Sequence, residues 1–593
     1  MQLDRPPFTM LTSLVAVIGL ALGTAAVTTP ARSAVAAGDC TETFPLAELT
    51  PGAVVEGWTV ERGTQPALFT GEVLGVLHDG IAPGIDMVMA ELDSPALDAA
   101  GGIWQGMSGS PVYAGDGRLI GAVAYGLAHG PSPIAGITPF AEMDDYLVDE
   151  PPAAVEVPAR MAQRIADATE VTEQEAAQGV HQLAMPLGVS GLGAGRLARV
   201  DRSGRAYLPD NTYAAGGVTG SAGPEAIVAG GNLGASYSYG DITQAGVGTA
   251  TYVCADRVVG FGHPMRFSGG TTMSMHPAEA VYVQPDSLGG PFKVANLSAP
   301  VGAVTEDRLA GITGAFGNAP STIEVSSEVT FGSRSRTGTS LVSEDGFAAG
   351  TTFYQQIANH DRVVDAVGGG SEEQSWTITG TGPDGAAFSL GFTDRYVSTW
   401  DLSYEVSYPL ADLVALLTEA PGVTIESVTA NAQVSEDEST FRIRRVEQWR
   451  GGGWTALTPR QPALVRAGKT LRIRTMLVSQ GRTVTMRSSF AVPRKAAGTR
   501  ARLSVVGGDN YFSDGFFYEE FEEEFEDEFF GFEESSAPTL KEIQKMVAGM
   551  LRNDEVWAGL RFGRGRAAVT RERVLGMADR VVRGYSEVKV LIR

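Results

Sequence analysis

The stretch Gly101-Gly-Ile-Trp-Gln-Gly-Met-Ser-Gly-Ser-Pro111 decides the reading of this chain. It sets one serine, Ser108, between two glycines in a tight turn that leads into a β-hairpin. Gly106 and Gly109 let the backbone bend sharply and keep side chains away from an incoming substrate. The N–H groups of Gly106 and Ser108 are then candidates for an oxyanion hole, usually the largest electrostatic contribution to acyl transfer. The spelling also discriminates between serine chemistries. A nucleophile elbow reads G-x-S-x-G, whereas here Ser110 and Pro111 occupy the second and third positions after Ser108. Ser110 is the nearest rival nucleophile, but the glycine pair brackets Ser108.

Outward from this turn, Ala67–Leu77 and Ile85–Leu92 are apolar, β-branched runs bounded by glycine and proline, as strands are. Gly115-Asp-Gly117 is a hairpin turn before the strand Arg118–Ala124. Gln105–Ser110, the hairpin Val112–Val123 with Leu119-Ile-Gly-Ala-Val123, and the closing Ile134-Ala-Gly-Ile-Thr-Pro139 together resemble the SpoIVB-type serine peptidase family. That resemblance implies a mainly β fold, with a chymotrypsin-like double β-barrel peptidase domain. It continues at Ala245–Val253 and Arg257-Val-Val-Gly-Phe-Gly-His-Pro264, and then at Phe292–Leu297, Val301–Val304 and Ala310–Gly317.

The resemblance implies a Ser-His-Asp triad of Ser108, His263 and Asp93, with the Gly106 and Ser108 amides as oxyanion donors. Asp93 begins Asp93-Ser-Pro-Ala-Leu97, the counterpart of a family D-P-x-L segment with one serine inserted; Asp98 and Asp86 are the alternatives. His263 lies in the family's G-H context, which His78, His129, His181, His276 and His360 lack; His276, in Met275-His-Pro277, is the next candidate. Met107 stands where chymotrypsin-like enzymes often carry an aspartate that pairs with a new N-terminus, which argues against activation by such an ion pair. The order of the halves departs from the family, because the serine segment here precedes the histidine segment. A triad is defined by geometry and occurs in several chain orders, so the rearrangement does not by itself remove the chemistry.

At 593 residues the chain is long enough for several domains, and its 74 glycines suit a turn-rich β architecture. A net charge of −24 disfavours a nucleic-acid partner; a protein or peptide substrate is expected, with no cofactor and no metal. Residues 1–36 read as a signal peptide, with an apolar run from Met10 to Val27 and a small-residue site at Ala34-Val-Ala36; a retained membrane anchor is the alternative. The expected location is therefore outside the cell, secreted or on the surface. There Cys40 and Cys254 could pair, or remain two buried thiols.

The expected division is a serine/aspartate half over 37–150, a helical linker over 151–180 and a histidine half over 181–370. An α+β connecting region over 371–455 and an immunoglobulin-like β-sandwich module over 456–508 follow. The C-terminal part is an acidic, disordered segment over 509–537 and a basic helix and strand over 538–593 that could pack back on the sandwich. Two functions are compatible with this: an exported serine endopeptidase acting on proteins or on itself, or a catalytically silent binding protein on a peptidase scaffold.

Overall fold

The computed structural model describes residues 40–593 except 129, 145–156, 170, 184–186, 201–204, 209–211, 286–289, 510–536 and 564–568. The signal segment, its cleavage site and the acidic run lie outside the described residues. Among the described residues no helix is long and apolar enough to cross a membrane.

Six strands form the first barrel: β1 (Val54–Thr59), β2 (Ala67–Ala82), β3 (Ile85–Asp93), β4 (Pro111–Ala114), β5 (Leu119–Leu127) and β6 (Ile134–Pro139). They pair in the order β4-β1-β2-β3-β6-β5, and β4 closes on β5. The alternation of β1, Val54 out and Val55 in, follows from the two-residue period of a strand. β5 and β6 are buried along their whole length, because one side packs in the barrel and the other against the rest of the molecule. Trp104, Met107, Val112, Val123 and Ile137 fill this core.

After the helices Ala159–Ala168 and Glu173–Ala176 comes a short strand, β7 (Val180–Gln182). Three further short strands follow: β8 (Gly188–Val189), β9 (Tyr213–Ala214) and β10 (Val218–Gly220). The second barrel is built from β11 (Asn232–Gly240), β12 (Gln244–Cys254), β13 (Arg257–Gly260), β14 (Gly269–Gln284), β16 (Gly302–Arg308) and β17 (Gly311–Phe316), with β15 (Phe292–Ser298) added as an outer strand on β14. Its order is β14-β11-β12-β13-β17-β16, closed from β16 to β14. Leaving β15 aside, each barrel thus reads 4-1-2-3-6-5 in its own chain order. The mainly β, double-barrel, chymotrypsin-like expectation holds.

The second barrel's sheet does not stop at 370. β18 (Ile323–Phe331) and β19 (Arg334–Val342) continue it from β11, and β22 (Thr424–Ser435), β20 (Gly370–Thr381) and β21 (Ala387–Ser398) extend it from β18. The helices Ala348–Val363 and Leu402–Glu419 pack beside this extension. A separate β-sandwich starts at Phe441 rather than at 456. One of its five-stranded sheets includes Phe441–Arg450, Thr470–Ser479 and Arg482–Ala491; the other includes Arg500–Gly507, Glu555–Phe562 and Tyr585–Ile592. Phe441, Leu471, Ile473, Leu503, Val505 and Val588 share its core. The C-terminal strands are therefore integral to the sandwich. The helix Leu540–Gly549 instead adds Ile543 and Val547 to the core of the extended sheet.

Cys40 and Cys254 form a disulfide with Cα atoms 5.0 Å apart, tying the start of the described chain to the end of β12. Their separation of 214 residues corresponds to a stabilisation on the order of 5 kcal/mol in the chain-entropy view.

Candidate active site

Both candidate side chains come from the same topological position. Ser108 lies between the third and fourth strands of the first barrel, His263 between the third and fourth strands of the second. The barrels face each other so that the two connections meet. His263 Nε2 is 2.8 Å from Ser108 Oγ, and both residues are fully buried.

The serine loop is docked on β12 by hydrogen bonds that only close approach permits. Thr249 N–H donates to Ser108 O at 2.8 Å, Thr249 Oγ1 to Gly106 O at 3.1 Å, and Thr251 Oγ1 to Gly109 O at 2.8 Å. Gly109 has φ 94°, and a Cβ there would stand 1.9 Å from Thr249 O. Glycine is therefore required on two counts, backbone conformation and space. Gly106 has φ 93°, and a Cβ on it would meet Lys293 Cβ at 2.8 Å. Ser110 is structural: its hydroxyl donates to Met107 O at 2.6 Å. Met107, Gly109 and Ser110 all spend their N–H groups on backbone carbonyls, whereas among the described residues those of Gly106 and Ser108 bond to no backbone acceptor.

His263 is aimed by the turn that carries it. Phe261 and Gly262 adopt φ 69° and 71°; the left-handed form at a phenylalanine is costly and persists because the surroundings fix it. Thr138 Oγ1 donates to Gly262 O at 2.6 Å, fastening this turn to the first barrel. Pro264 O lies 2.8 Å from His263 Nδ1 and also accepts from Gln182 Nε2 at 3.1 Å. A carbonyl can only accept, so Nδ1 carries the proton and Nε2 presents its lone pair to the Ser108 hydroxyl. The 3.0 Å approach of Gln182 Nε2 to Nδ1 arises from two donors sharing one carbonyl. Burial pushes His263 down to about 4, opposed by the Pro264 carbonyl and by the charge of Asp307, so the ring is neutral at pH 7.

Asp93 is not the acid partner. It ends β3 paired with Thr70, its side chain is exposed, and the Nδ1–H of His263 is spent on Pro264 O. The inserted Ser94 explains the local structure: its hydroxyl caps the helix Pro95–Ala100 by accepting from Leu97 N–H at 3.2 Å. Asp98 sits exposed in that helix, and Asp86 pairs with His78 at 3.0 Å. The carboxylate whose charge works against the effect of burial on His263 is Asp307, fully buried near the end of β16. It accepts from the N–H groups of Met265 (2.7 Å), Arg266 (2.9 Å) and Ser268 (3.3 Å) and from the Ser268 hydroxyl (3.2 Å). Asp307 thus clamps the segment that follows His263.

Sequence reasoning missed Asp307, Gln182 and Lys293. The signal for Asp307 was a strand-end carboxylate in the repeated barrel topology; Gln182 carried none. The strand bearing Lys293 is legible in the sequence, but nothing there gives that lysine a role. Burial lowers Lys293 to about 7, and its Nζ donates to Asn232 Oδ1 at 2.9 Å behind Gly106. His276 is also buried in a Ser–His pair, with Ser236 Oγ 2.8 Å from Nε2. Among the described residues no group of His, Cys, Asp and Glu could hold a metal ion.

Comparison with curated proteins and with solved structures returns no match for the chain. A family model does match, over residues 53–142, which include all six strands of the first barrel and Ser108. That family and the double barrel support a peptidase, a hydrolase of peptide bonds. The matching model is that of the SpoIVB peptidase S55, so the serine-bearing barrel, residues 53–142, is similar to that family.

Proposed function

We propose that this protein is an exported serine endopeptidase in which Ser108 is the nucleophile and His263 the general base. The observation that carries this reading is the 2.8 Å contact between Ser108 Oγ and a neutral His263 Nε2, made across two barrels from equivalent connections. Ser108 Oγ attacks the carbonyl carbon of a peptide bond while its proton passes to Nε2. The imidazolium so formed keeps its Nδ1–H on Pro264 O and gains stabilisation from the buried Asp307 charge. Nε2 then protonates the leaving amine, and water releases the acyl group. The Gly106 and Ser108 N–H groups, free of backbone acceptors among the described residues, are the donors for the oxyanion. Asp307 is a positioning residue: it acts through the loop it holds and through its field. The disulfide supports an oxidising compartment, hence export.

A fluorophosphonate probe tests the reading. The expected outcome is a mass adduct on Ser108 that is lost in Ser108→Ala and in His263→Ala, with casein cleavage following the same pattern. Absence of an adduct on the intact protein would overturn it. The silent binding-protein reading draws on one observation, the complete burial of both side chains, and it is the outcome that an unlabelled Ser108 would favour.

A further inference from the structure

A peptidase must hold its substrate extended past the nucleophile, and an exposed strand edge does this by adding the peptide as one more strand. Beside Ser108 the edge that qualifies belongs to β5. β4 pairs with the first half of β5 and stops at Pro111↔Ala122. The serine loop continues along the same edge, with Val123 N–H donating to Ser110 O at 3.0 Å and Gly109 N–H to Val123 O at 2.8 Å. Past that point the edge is filled by the protein itself. Leu183 N–H donates to Ala124 O at 2.9 Å, and Tyr125, Gly126 and Leu127 pair antiparallel with Gln182, His181 and Val180.

The side chains of this segment alternate as those of a bound peptide would. Leu183 is 6 % exposed and packs in the apolar cluster with Ile103, Trp104, Met107 and Val123. Gly126 leaves the room for it: a Cβ there would lie 3.1 Å from Leu183 Cδ2 and 3.1 Å from Ile103 Cδ1. The next side chain, Gln182, points the other way and meets His263.

We propose that Val180–Leu183 occupies the enzyme's own peptide-binding edge, so that substrates bind along Ala124–Leu127 with a leucine-sized apolar side chain beside Gly126. The proposal rests on the Ser108–His263 reading and deepens it. In a substrate the residue in the Leu183 place is the one whose carbonyl carbon meets Ser108 Oγ. That ester forms as the following C–N bond breaks, and the proton from Ser108 leaves on the new amine. Substrates bind by displacing this strand, which accounts for a serine and a histidine with no exposed surface in its presence.

Peptidyl phosphonates bearing leucine or lysine next to phosphorus test this on the full chain, with the small fluorophosphonate as reference. Leu183→Asp is expected to raise labelling of Ser108 by the leucine probe at least tenfold over the parent, and the leucine probe should outpace the lysine probe at least tenfold. Gly126→Val is expected to lower the leucine-probe rate at least tenfold. On the unmutated protein, hydrogen exchange gives a second measurement: the Leu183 and Ala128 amides, which donate to Ala124 and Gly179, should lose protection when the leucine probe binds. Equal labelling by both probes, or unchanged protection at Leu183 and Ala128 on binding, overturns the proposal while fluorophosphonate labelling leaves the peptidase reading intact. No labelling by any probe overturns both.

Discussion

The molecule contains two serine–histidine pairs that a distance alone does not separate. Ser108 Oγ and Ser236 Oγ each stand 2.8 Å from an imidazole Nε2, of His263 and His276 respectively. In both rings Nδ1 lies 2.8 Å from a backbone carbonyl, Pro264 O or Ser298 O, which selects the same tautomer. Burial lowers both histidines to about 4. The difference lies in the main chain. Ser236 and His276 sit inside β11 and β14, where Ser236 faces Ala245 on one side and Ser274 on the other. The sheet ladder consumes the donors there. Ser108 sits in a loop with two left-handed glycines, where two N–H groups bond to no backbone acceptor among the described residues. A hydroxyl–imidazole contact is thus a common solution for satisfying buried polar groups, and unspent amide donors beside it are what make it a candidate for acyl chemistry.

The largest expected effect tests that contrast directly. Ser108→Ala should lower peptidase activity by roughly 10³-fold or more, the scale of losing a nucleophile. Ser236→Ala should leave the rate of fluorophosphonate labelling within about threefold, since that hydroxyl lies outside the proposed machinery. Labelling kinetics and digestion with mass analysis read both. Equal losses in the two variants would mean that the sheet pair is coupled to the reaction and that the comparison is misdrawn.

The next effect separates two carboxylates. Asp307→Asn removes the charge that favours the His263 imidazolium and sets an NH2 group against N–H donors of the clamp, so kcat should fall by about 10²–10⁴-fold. Its pH–rate profile should shift with it, because the base loses a stabilising field. Asp93→Asn, at an exposed strand end, should leave both unchanged within about twofold. The reverse result would restore Asp93 as the acid and imply a rearrangement of the β3 end on substrate binding.

How far the sequence disclosed this arrangement depended on whether the signal was local. The Ser108 loop was legible because tight turns need glycine and proline at fixed offsets. Gly262-His-Pro264 was legible for the same reason. Asp93 is singled out only by a short pattern along the chain. The structure instead draws its carboxylate from the end of β16, a placement set by barrel closure and not by neighbours in sequence. Gln182 gives even less sign of itself, since a polar residue in a three-residue strand gains its meaning only from the strand it lies against. The sandwich boundary moved from 456 to 441 because Phe441–Arg450 alternates like a strand of any sheet, and only pairing with Thr470–Ser479 says which one.

Acid sensitivity should mark both pairs alike. A buried histidine whose folded-state value is near 4, against about 6.5 unfolded, binds fewer protons folded than unfolded in between. Its contribution to stability is complete above about pH 6.5 and drains as the pH falls toward 4, on the order of 3 kcal/mol for each ring. His360 has the opposite sign: burial opposes its charge, but Glu372, 2.5 Å from Nε2, outweighs this and raises it, so its contribution fades as the pH rises. Unfolding by denaturant at pH 7 and pH 5 should therefore show a marked loss at pH 5, and His276→Phe should lessen it. A loss of the same size in that variant would mean that His276 titrates as an ordinary histidine.

The smallest effect is the most discriminating about what the sheet pair is for. Removing only the Ser236 hydroxyl leaves His276 Nε2 buried without a donor, at a cost of about 1–3 kcal/mol. Removing both groups, as Ser236→Ala with His276→Phe, also removes the unpaired acceptor, so the double variant should cost less than the sum of the singles. The ring of Tyr239 packs edge-on against His276 at 5.6 Å, a contact that phenylalanine can also make. Denaturant midpoints of the four proteins give the coupling directly, and peptidase activity should follow the folded fraction throughout. Additive costs with parallel losses of activity per folded molecule would mean that the sheet pair does more than satisfy its own buried atoms.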